Sequence, residues 1–189
     1  MPRIENKVKW CVNKAKKEGA KHRGLKEVEP DEGKARKHMD KANHNLKAAI
    51  YLVKGNFSDW AVSGVFYSMY HCLIALLAKH GYEPRNQECA FAAVEHLINR
   101  KKIGIDVKWL RRISSFGDDH NADDIITLRE EFQYGTDAVL EEPKIKKLLN
   151  DAKEFIEIVR EELYKPAAEK SGEIIENARK EDGKTRNHG

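Results

Sequence analysis

Histidine and carboxylate side chains are the first groups to consider for metal or proton chemistry. The chain has eight histidines, but no aspartate or glutamate stands three residues before any of them, so the Glu-x-x-His pairs of helical di-iron sites are absent. HExxH and Cys-x-x-Cys sequences are absent too. His38 and His44 are six residues apart, which does not place both on one helical face. The sequence therefore predicts no metal site and no cofactor.

The three cysteines are an odd number without paired spacing: Cys11, Cys72 and Cys89. We therefore expect reduced thiols in a cytoplasmic protein. Cys89 is interpreted as a small apolar residue at a helix start, because no base is evident that would activate its thiol. The lysine-rich beginning lacks the apolar core of a signal peptide, and the longest apolar stretch is interrupted by Ser, Tyr and His, so no membrane span is expected.

Two sets of side chains are candidates for binding a ligand: Tyr67, Tyr70 and His71 on one predicted helix, and Arg85, Asn86 and Gln87 at the start of another. The first set could stack on a base, although aromatic residues at this spacing more often pack in a core. The second set could hold a phosphate or a protein partner at the helix start, with a merely solvated turn as the alternative.

A central helix over residues 56–81 is predicted to position the first set. Its large apolar residues recur at spacings of three and four: Val62, Val65, Phe66, Met69, Leu73, Leu76 and Leu77. Asn56 is the expected N-cap, and Gly81 is the expected left-handed end. Charged residues are confined to the two ends of this helix, so we expect the other helices to pack around it.

Amphipathic helices are predicted on both sides of this segment, at residues 4–19, 31–54, 88–99, near 107–113, from 123 or 124 to 135, and 143–165. No segment of five or more residues alternates with period two, so no strand is expected, and residues 21–30 and 82–86 are interpreted as a loop and a turn. The predicted fold is all-α: an antiparallel four-helix-bundle-like arrangement with additional short helices.

Positive charge is concentrated in the first part of the chain. Residues 1–38 contain twelve Lys or Arg and six Asp or Glu, a net charge of +6, so the remainder carries −2 of the total +4. A basic arm could bind nucleic acid or an acidic partner, and an ordinary solvated lysine-rich helix is the alternative. We divide the chain into a basic helix and linker (1–33), a helical bundle (34–165) and a tail that is partly helical or disordered (166–189).

Three segments together resemble the HEPN domain family. They are KANHNLKAA at residues 41–49, FYSMYHCLIALLAKHGYEP at 66–84 and LREEFQYG at 128–135. The similarity covers about residues 34–164 and is greatest to small prokaryotic HEPN proteins that carry a GYExRNQEC segment, here residues 81–89. The resemblance implies a HEPN-type bundle and a homodimer whose cleft is lined by an arginine-led motif from both subunits.

In many HEPN proteins that motif is Arg-x(4–6)-His, and these members are metal-independent ribonucleases, often toxins encoded beside a small nucleotidyltransferase. By this resemblance the arginine is Arg129. It would stabilise charge on a phosphate, and the histidine would transfer a proton. Here Tyr134, Gly135 and Thr136 stand where the histidine is expected. Tyr134 is therefore the candidate, with Arg129, for the role of the missing histidine, although a phenol with a pKa of about 10 is a poor base at neutral pH.

Three hypotheses follow from this departure. The chain could be a non-catalytic HEPN module that binds a nucleotide, RNA or a protein partner such as a nucleotidyltransferase, in a toxin–antitoxin-like or defence system. It could be a metal-independent ribonuclease in which His71 or His120 supplies the proton-transfer group. It could also be a structural helical dimer without a ligand. We expect the first, because the arginine is present and the histidine is not.

Overall fold

The computed structural model describes residues 2–114, 124–136 and 139–165. In order, these residues form α1 (Pro2–Glu18), a 3-10 turn (Gly19–Lys21), β1 (Leu25–Glu27), α2 (Glu32–Lys54), α3 (Ser58–Lys79), β2 (Tyr82–Pro84), α4 (Gln87–Asn99), α5 (Val107–Ile113), α6 (Ile125–Tyr134) and α7 (Glu142–Tyr164). The prediction of a helical bundle with additional short helices is confirmed. The predicted tail and His120 lie outside the described residues.

α3 is the centre of the bundle, as its apolar sequence predicts. Its inward residues are fully buried, and it packs against α2, α4, α6 and α7. The contact with α2 is especially close at Gly64, where an added Cβ would lie 2.9 Å from the Cβ of Ala49. Beside it, Ser68 Oγ donates a hydrogen bond of 2.9 Å to the carbonyl oxygen of Ala42. Small residues therefore let the α2–α3 hairpin close tightly.

α3 is also long and apolar enough to cross a membrane by length and composition alone. However, 72% of its most apolar window is buried inside the protein. A lipid-facing span would expose that surface, so α3 has the burial expected of a core helix.

Short polar side chains begin several of the helices. Asp31 caps α2 by accepting a hydrogen bond of 2.7 Å from the backbone N–H of Lys34. The predicted left-handed end of α3 is confirmed, because Gly81 has a φ of +76°. The predicted cap at Asn56 is wrong. Asn56 has a φ of +63°, Phe57 occupies the N-cap position, and no side chain caps α3. The tight α2–α3 turn therefore needs Asn56 in the left-handed region, which asparagine tolerates better than most residues.

The prediction that no strand forms is also wrong. β1 and β2 pair antiparallel over three residues each, with Leu25 opposite Pro84 and Glu27 opposite Tyr82. Three residues are too few to show an alternating pattern, which is why the sequence did not reveal them. The pairing attaches the segment after α1 to the turn that follows α3.

The interpretation of the cysteines as reduced thiols is wrong for two of the three. Cys11 and Cys89 form a disulfide between α1 and α4, and only Cys72 is free and buried. The two joined residues are 78 positions apart in the chain, so their spacing could not indicate the pairing. One basis for expecting a cytoplasmic location is thereby removed. The disulfide also shows that α1 is part of the folded body and is not a detached arm.

Candidate functional site

Arg129 is held in the middle of the short helix α6. The helix begins at Asp124, whose carboxylate accepts hydrogen bonds from the backbone N–H of Thr127 at 2.7 Å and from its hydroxyl at 3.1 Å. Ile125 and Leu128 are buried against the bundle, which fixes the rotation of the helix. Arg129 lies next to Leu128 on this packed side and is only 8% exposed.

The guanidinium of Arg129 has few partners for a buried charge. Its Cζ lies 4.6 Å from the centroid of the Phe66 ring, a cation–π contact with α3. Its Nη2 is 3.2 Å from a carboxylate oxygen of Glu130, whose own side chain is 58% exposed. Its Nε is buried and has no hydrogen-bond partner among the described residues. A buried donor without a partner is uncommon and often marks a site where a ligand or water binds.

Phe66 links Arg129 to the tyrosines that the sequence singled out. Its ring is stacked on Tyr70, with centroids 5.8 Å apart, and meets Tyr67 edge-on at 5.2 Å. Tyr70 also contacts Phe91 of α4, and burial raises the pKa of its hydroxyl to about 12. Tyr67 is 42% exposed and is therefore the more accessible of the two. Sequence reasoning treated Phe66 as core alone, although its place in the FYSMYH run of aromatics was a signal.

His71 has a different partner from the one a catalytic role would need. Its Nδ1 lies 3.0 Å from Nδ1 of His38 on α2, so the two rings share a hydrogen bond. Burial, with His38 and Lys41 nearby, lowers the pKa of His71 to about 4. On α3, His71 is five residues from Phe66, about 140° around the helix axis, so it points away from the ring that contacts Arg129. The sequence shows His38 but not its contact with His71, because spacings within one helix do not reveal contacts between helices.

Tyr134 and Arg129 lie on different sides of α6. It is the last residue of α6 and is 78% exposed. The five-residue separation turns it about 140° from Arg129 around the helix axis. The two residues proposed as a catalytic pair therefore lie on different sides of α6, and Tyr134 has the exposure of a surface residue.

The Arg85, Asn86 and Gln87 cluster makes contacts with the N-terminal part of the chain. Arg85 donates a hydrogen bond of 2.8 Å to the carbonyl oxygen of Ala20, and Asn86 donates one of 2.8 Å to that of Arg23. The Asn86 side chain also caps α4 by accepting from the Cys89 N–H at 2.7 Å. Gln87 is half-buried at the first position of α4. These contacts give the cluster a structural role, and whether it binds a ligand stays a prediction.

Within the described part of the chain, no group of three or more His, Cys, Asp or Glu side chains could hold a metal ion. The chemistry that the Arg129 site offers is accordingly electrostatic. A guanidinium backed by an aromatic ring can bind an anion and stabilise its charge. No histidine or carboxylate among the described residues, apart from Glu130, contacts Arg129 in a position to transfer a proton.

The fold and this site together define an all-α bundle with a central helix and a buried arginine on a short neighbouring helix. The family profile of the HEPN domain matches residues 35–163. The chain therefore belongs to the HEPN domain family. A search of curated proteins gives no significant match. α1, β1 and the disulfide cysteine Cys11 precede the matched residues and are additions to the common domain.

Proposed function

We propose that the chain is a non-catalytic HEPN module that binds the phosphate of a nucleotide or of RNA at Arg129. The observation that carries this proposal is the incomplete pairing of a buried guanidinium: one exposed carboxylate, one aromatic ring and an Nε without a partner among the described residues. An anion that reached Arg129 would supply the missing acceptor.

The energetics favour a ligand with negative charge. Burying a charged group without a good partner costs several kcal/mol, and a charge-assisted hydrogen bond offsets about 1.5–3 kcal/mol of such a cost. Glu130 is a weak partner because its side chain is 58% exposed and its contact with Arg129 is 3.2 Å long. A phosphate can accept two parallel hydrogen bonds from a guanidinium, and would therefore compete well with Glu130.

The half-exposed Tyr67 supports a ligand that carries a base. Tyr67 meets the same Phe66 ring that contacts Arg129, so an aromatic surface lies near the guanidinium. Stacking of a base on an exposed aromatic side chain contributes about 1–3 kcal/mol. A phosphate at Arg129 with a base on Tyr67 is thus the arrangement that uses both groups.

Catalysis is not part of the proposal, because the proton-transfer groups are elsewhere. His71 is paired with His38, and Tyr134 is turned away from Arg129. With its pKa lowered to about 4, His71 is neutral at physiological pH. A neutral histidine can act as a base only where it lies near the reacting hydroxyl. Arg129 alone can bind and polarise a phosphate without cleaving the chain that carries it.

The experiment is a thermal-shift titration with ribonucleotides and with a short RNA. A ligand that binds only the folded state raises the melting temperature as its concentration exceeds the Kd. We expect a rise for the wild type that is lost in Arg129→Gln and retained in Arg160→Gln. Arg160 is a matched control because it is exposed and, among the described residues, is ion-paired with Glu157 on its own helix. Circular dichroism confirms that both variants are folded.

The outcome distinguishes the ligand classes. A shift with mononucleotides indicates a nucleotide site, and a shift with RNA alone indicates that several phosphates are needed. Equal shifts in Arg129→Gln and the wild type would contradict the proposal. The absence of any shift would leave the structural-dimer hypothesis as the better account of the fold.

We also propose that the module is a homodimer through α3. Trp60 lies near the start of this helix and is 60% exposed. Tyr51 and Phe57, at the α2–α3 turn, extend the apolar surface with 77% and 55% exposure. Several exposed aromatic residues near one end of a helical hairpin are typical of a protein interface.

Light scattering coupled to size-exclusion chromatography tests the dimer. We expect the mass of two chains for the wild type and of one chain for Trp60→Glu with Phe57→Glu, whereas Trp10→Glu on α1 should leave the dimer intact. A wild-type monomer would contradict the homodimer. The α3 surface would then be available to a different protein, of which the small nucleotidyltransferase implied by the resemblance is the first to test.

A further inference from the structure

One flank of α1 carries a row of cationic side chains with one tryptophan at its centre. Arg3, Lys7, Trp10, Lys14 and Lys17 recur at spacings of four and three, which places all five along one side of the helix. We call these five residues the α1 row. It extends about 21 Å along the helix axis. Because α1 precedes the residues matched by the HEPN profile, the common domain does not account for this surface.

α1 presents the row in a fixed orientation. The side of α1 that faces the bundle is buried through Val8, Cys11 and Ala15, and the disulfide between Cys11 and Cys89 joins it to α4. An ion pair of 2.7 Å between Glu5 and Arg100 also joins α1 to the end of α4. The helix therefore cannot turn its apolar residues outward without breaking these contacts.

Trp10 is the exposed centre of the row. It is 47% exposed, although tryptophan is usually well buried in folded proteins. The ammonium groups of Lys7 and Lys14 lie 4.6 Å and 5.0 Å from its ring centroid. The indole is thus an accessible aromatic surface that has positive charge one turn before it and one turn after it.

Four of the six cationic side chains of α1 have no carboxylate partner among the described residues. The helix contains six Lys or Arg and two Glu, and both glutamates are engaged: Glu5 by Arg100, and Glu18 by the backbone N–H of Arg23. Lys7 is paired with Glu88 of α4. Among the described residues, no carboxylate lies within ion-pair distance of Lys9, Lys14, Lys16 or Lys17. Such a surface is complementary to a chain of phosphates.

We propose that the α1 row binds single-stranded nucleic acid, with phosphates along its cationic side chains and a base stacked on Trp10. A positively charged track with interspersed aromatic side chains is the general arrangement for binding single strands, because every base has a π-face. The site is separate from Arg129 and does not depend on the function proposed for it.

Other anionic partners fit the row less well. An anionic membrane surface attracts basic helices, but stable insertion needs a free apolar side, and that of α1 is buried and cross-linked to α4. A nucleic-acid duplex would use the lysines and leave Trp10 without a role, because its bases are already stacked. An acidic peptide would satisfy the lysines but offers no flat group that Trp10 specifically requires.

The lysines around Trp10 do not prevent stacking. A cation–π contact at an exposed site contributes about 0.5–1 kcal/mol, whereas stacking of a base on an aromatic side chain contributes about 1–3 kcal/mol. Lys14 is on a flexible stem and can leave the indole and follow the phosphates when a base arrives, and Lys7 can do so by exchanging Glu88 for a phosphate.

The test measures binding of a fluorescent twelve-nucleotide oligouridylate by anisotropy, with the intact disulfide-bonded protein. Trp10→Ala should weaken binding by about 5- to 150-fold, the range expected for loss of one stacked base, and Trp10→Phe should restore part of it. Tyr164→Ala removes an equally exposed aromatic residue from α7 and should have no effect. Lys14→Glu with Lys17→Glu should weaken binding and reduce its salt dependence, whereas Lys146→Glu with Lys153→Glu on α7 should not reduce the salt dependence as far.

Three comparisons decide the result. An oligodeoxythymidylate of the same length shows whether RNA or DNA is preferred, and a duplex of the same sequence should bind more weakly than either single strand. The Arg129→Gln variant distinguishes the two sites. If Arg129→Gln loses binding and Trp10→Ala keeps it, the oligonucleotide binds at Arg129 and not on the α1 row. Equal binding by Trp10→Ala and the wild type, tighter binding of the duplex, or no binding by the wild type would each overturn the proposal.

Discussion

The Arg129 guanidinium and the Phe66 ring join α6 to the central helix, at a separation of 4.6 Å from Cζ to the ring centroid. Phe66 is fully buried and Arg129 is nine-tenths buried, so water screens this contact little. The pair therefore has two consequences: it fixes the position of the one arginine that the HEPN resemblance selects, and it offsets part of the cost of burying the charge.

A double-mutant cycle should detect this contact. We expect Arg129→Met and Phe66→Leu to show an interaction free energy of about 1–2 kcal/mol in urea unfolding, the size of a cation–π contact shielded from water. The control cycle pairs Arg129→Met with Phe155→Leu, because Phe155 is also fully buried but contacts Trp109. Its interaction free energy should be within about 0.5 kcal/mol of zero. Similar values in both cycles would show that Phe66 has no special relation to Arg129.

RNA should survive incubation with the purified protein in excess chelator. The reason is geometric: among the described residues, no histidine contacts Arg129, and Tyr134 is turned away from it. Gel analysis of mixed RNA, with Arg129→Ala prepared in parallel, is the measurement. Cleavage by the wild type and not by the variant would contradict a non-catalytic module, and His71, His120 and Tyr134 would then be replaced in turn.

Local sequence patterns were sufficient for most of the fold. The periodicity of α3 predicted its central position, and Asp31 and Gly81 predicted two helix ends, because these signals depend on neighbouring residues only. The disulfide, the β1–β2 pair and the His38–His71 contact each join distant parts of the chain. Spacing along one helix cannot reveal such contacts, and all three were missed.

The candidate site shows the same division. The family resemblance selected Arg129 by sequence, but its partner Phe66 became visible only when α6 was packed against α3. Tyr134 was selected by its distance along the chain, whereas the turn of the helix separates it from Arg129. A sequence gives the order of residues on a helix, and the contacts between helices decide which of them meet.

The Cys11–Cys89 disulfide should make a large contribution to stability. A cross-link that closes a long loop restricts the unfolded chain, and removing such a bond typically costs about 2–5 kcal/mol. We expect reducing agent to lower the melting temperature of the wild type and to leave that of Cys11→Ser with Cys89→Ser unchanged. The buried free thiol of Cys72 should not react in the folded protein, because burial raises its pKa and blocks access.

Thiol counting checks the bond directly. The denatured, non-reduced protein should release one thiol per chain, from Cys72, and the reduced protein should release three. Limited proteolysis should then cut between α1 and α2 faster in the reduced protein, since α1 loses its covalent attachment to α4. Three thiols before reduction would show that the bond is absent and would restore the expectation of reduced cysteines.

Stability should fall as the pH is lowered from about 7 to about 4, partly because of His71. Burial, His38 and Lys41 lower the pKa of folded His71 from 6.5 to about 4, and burial with Lys34 nearby lowers the pKa of His38. The unfolded chain therefore binds protons in this range that the folded chain excludes, which favours unfolding. Both rings are half-exposed, so solvent screening limits the effect to about 1 kcal/mol.

Urea unfolding at several pH values should give a smaller loss for His71→Gln than for the wild type. His44→Gln, at an exposed histidine on the same hairpin, should follow the wild type, and an unchanged pH dependence in His71→Gln would show that the His38–His71 pair does not cause the loss.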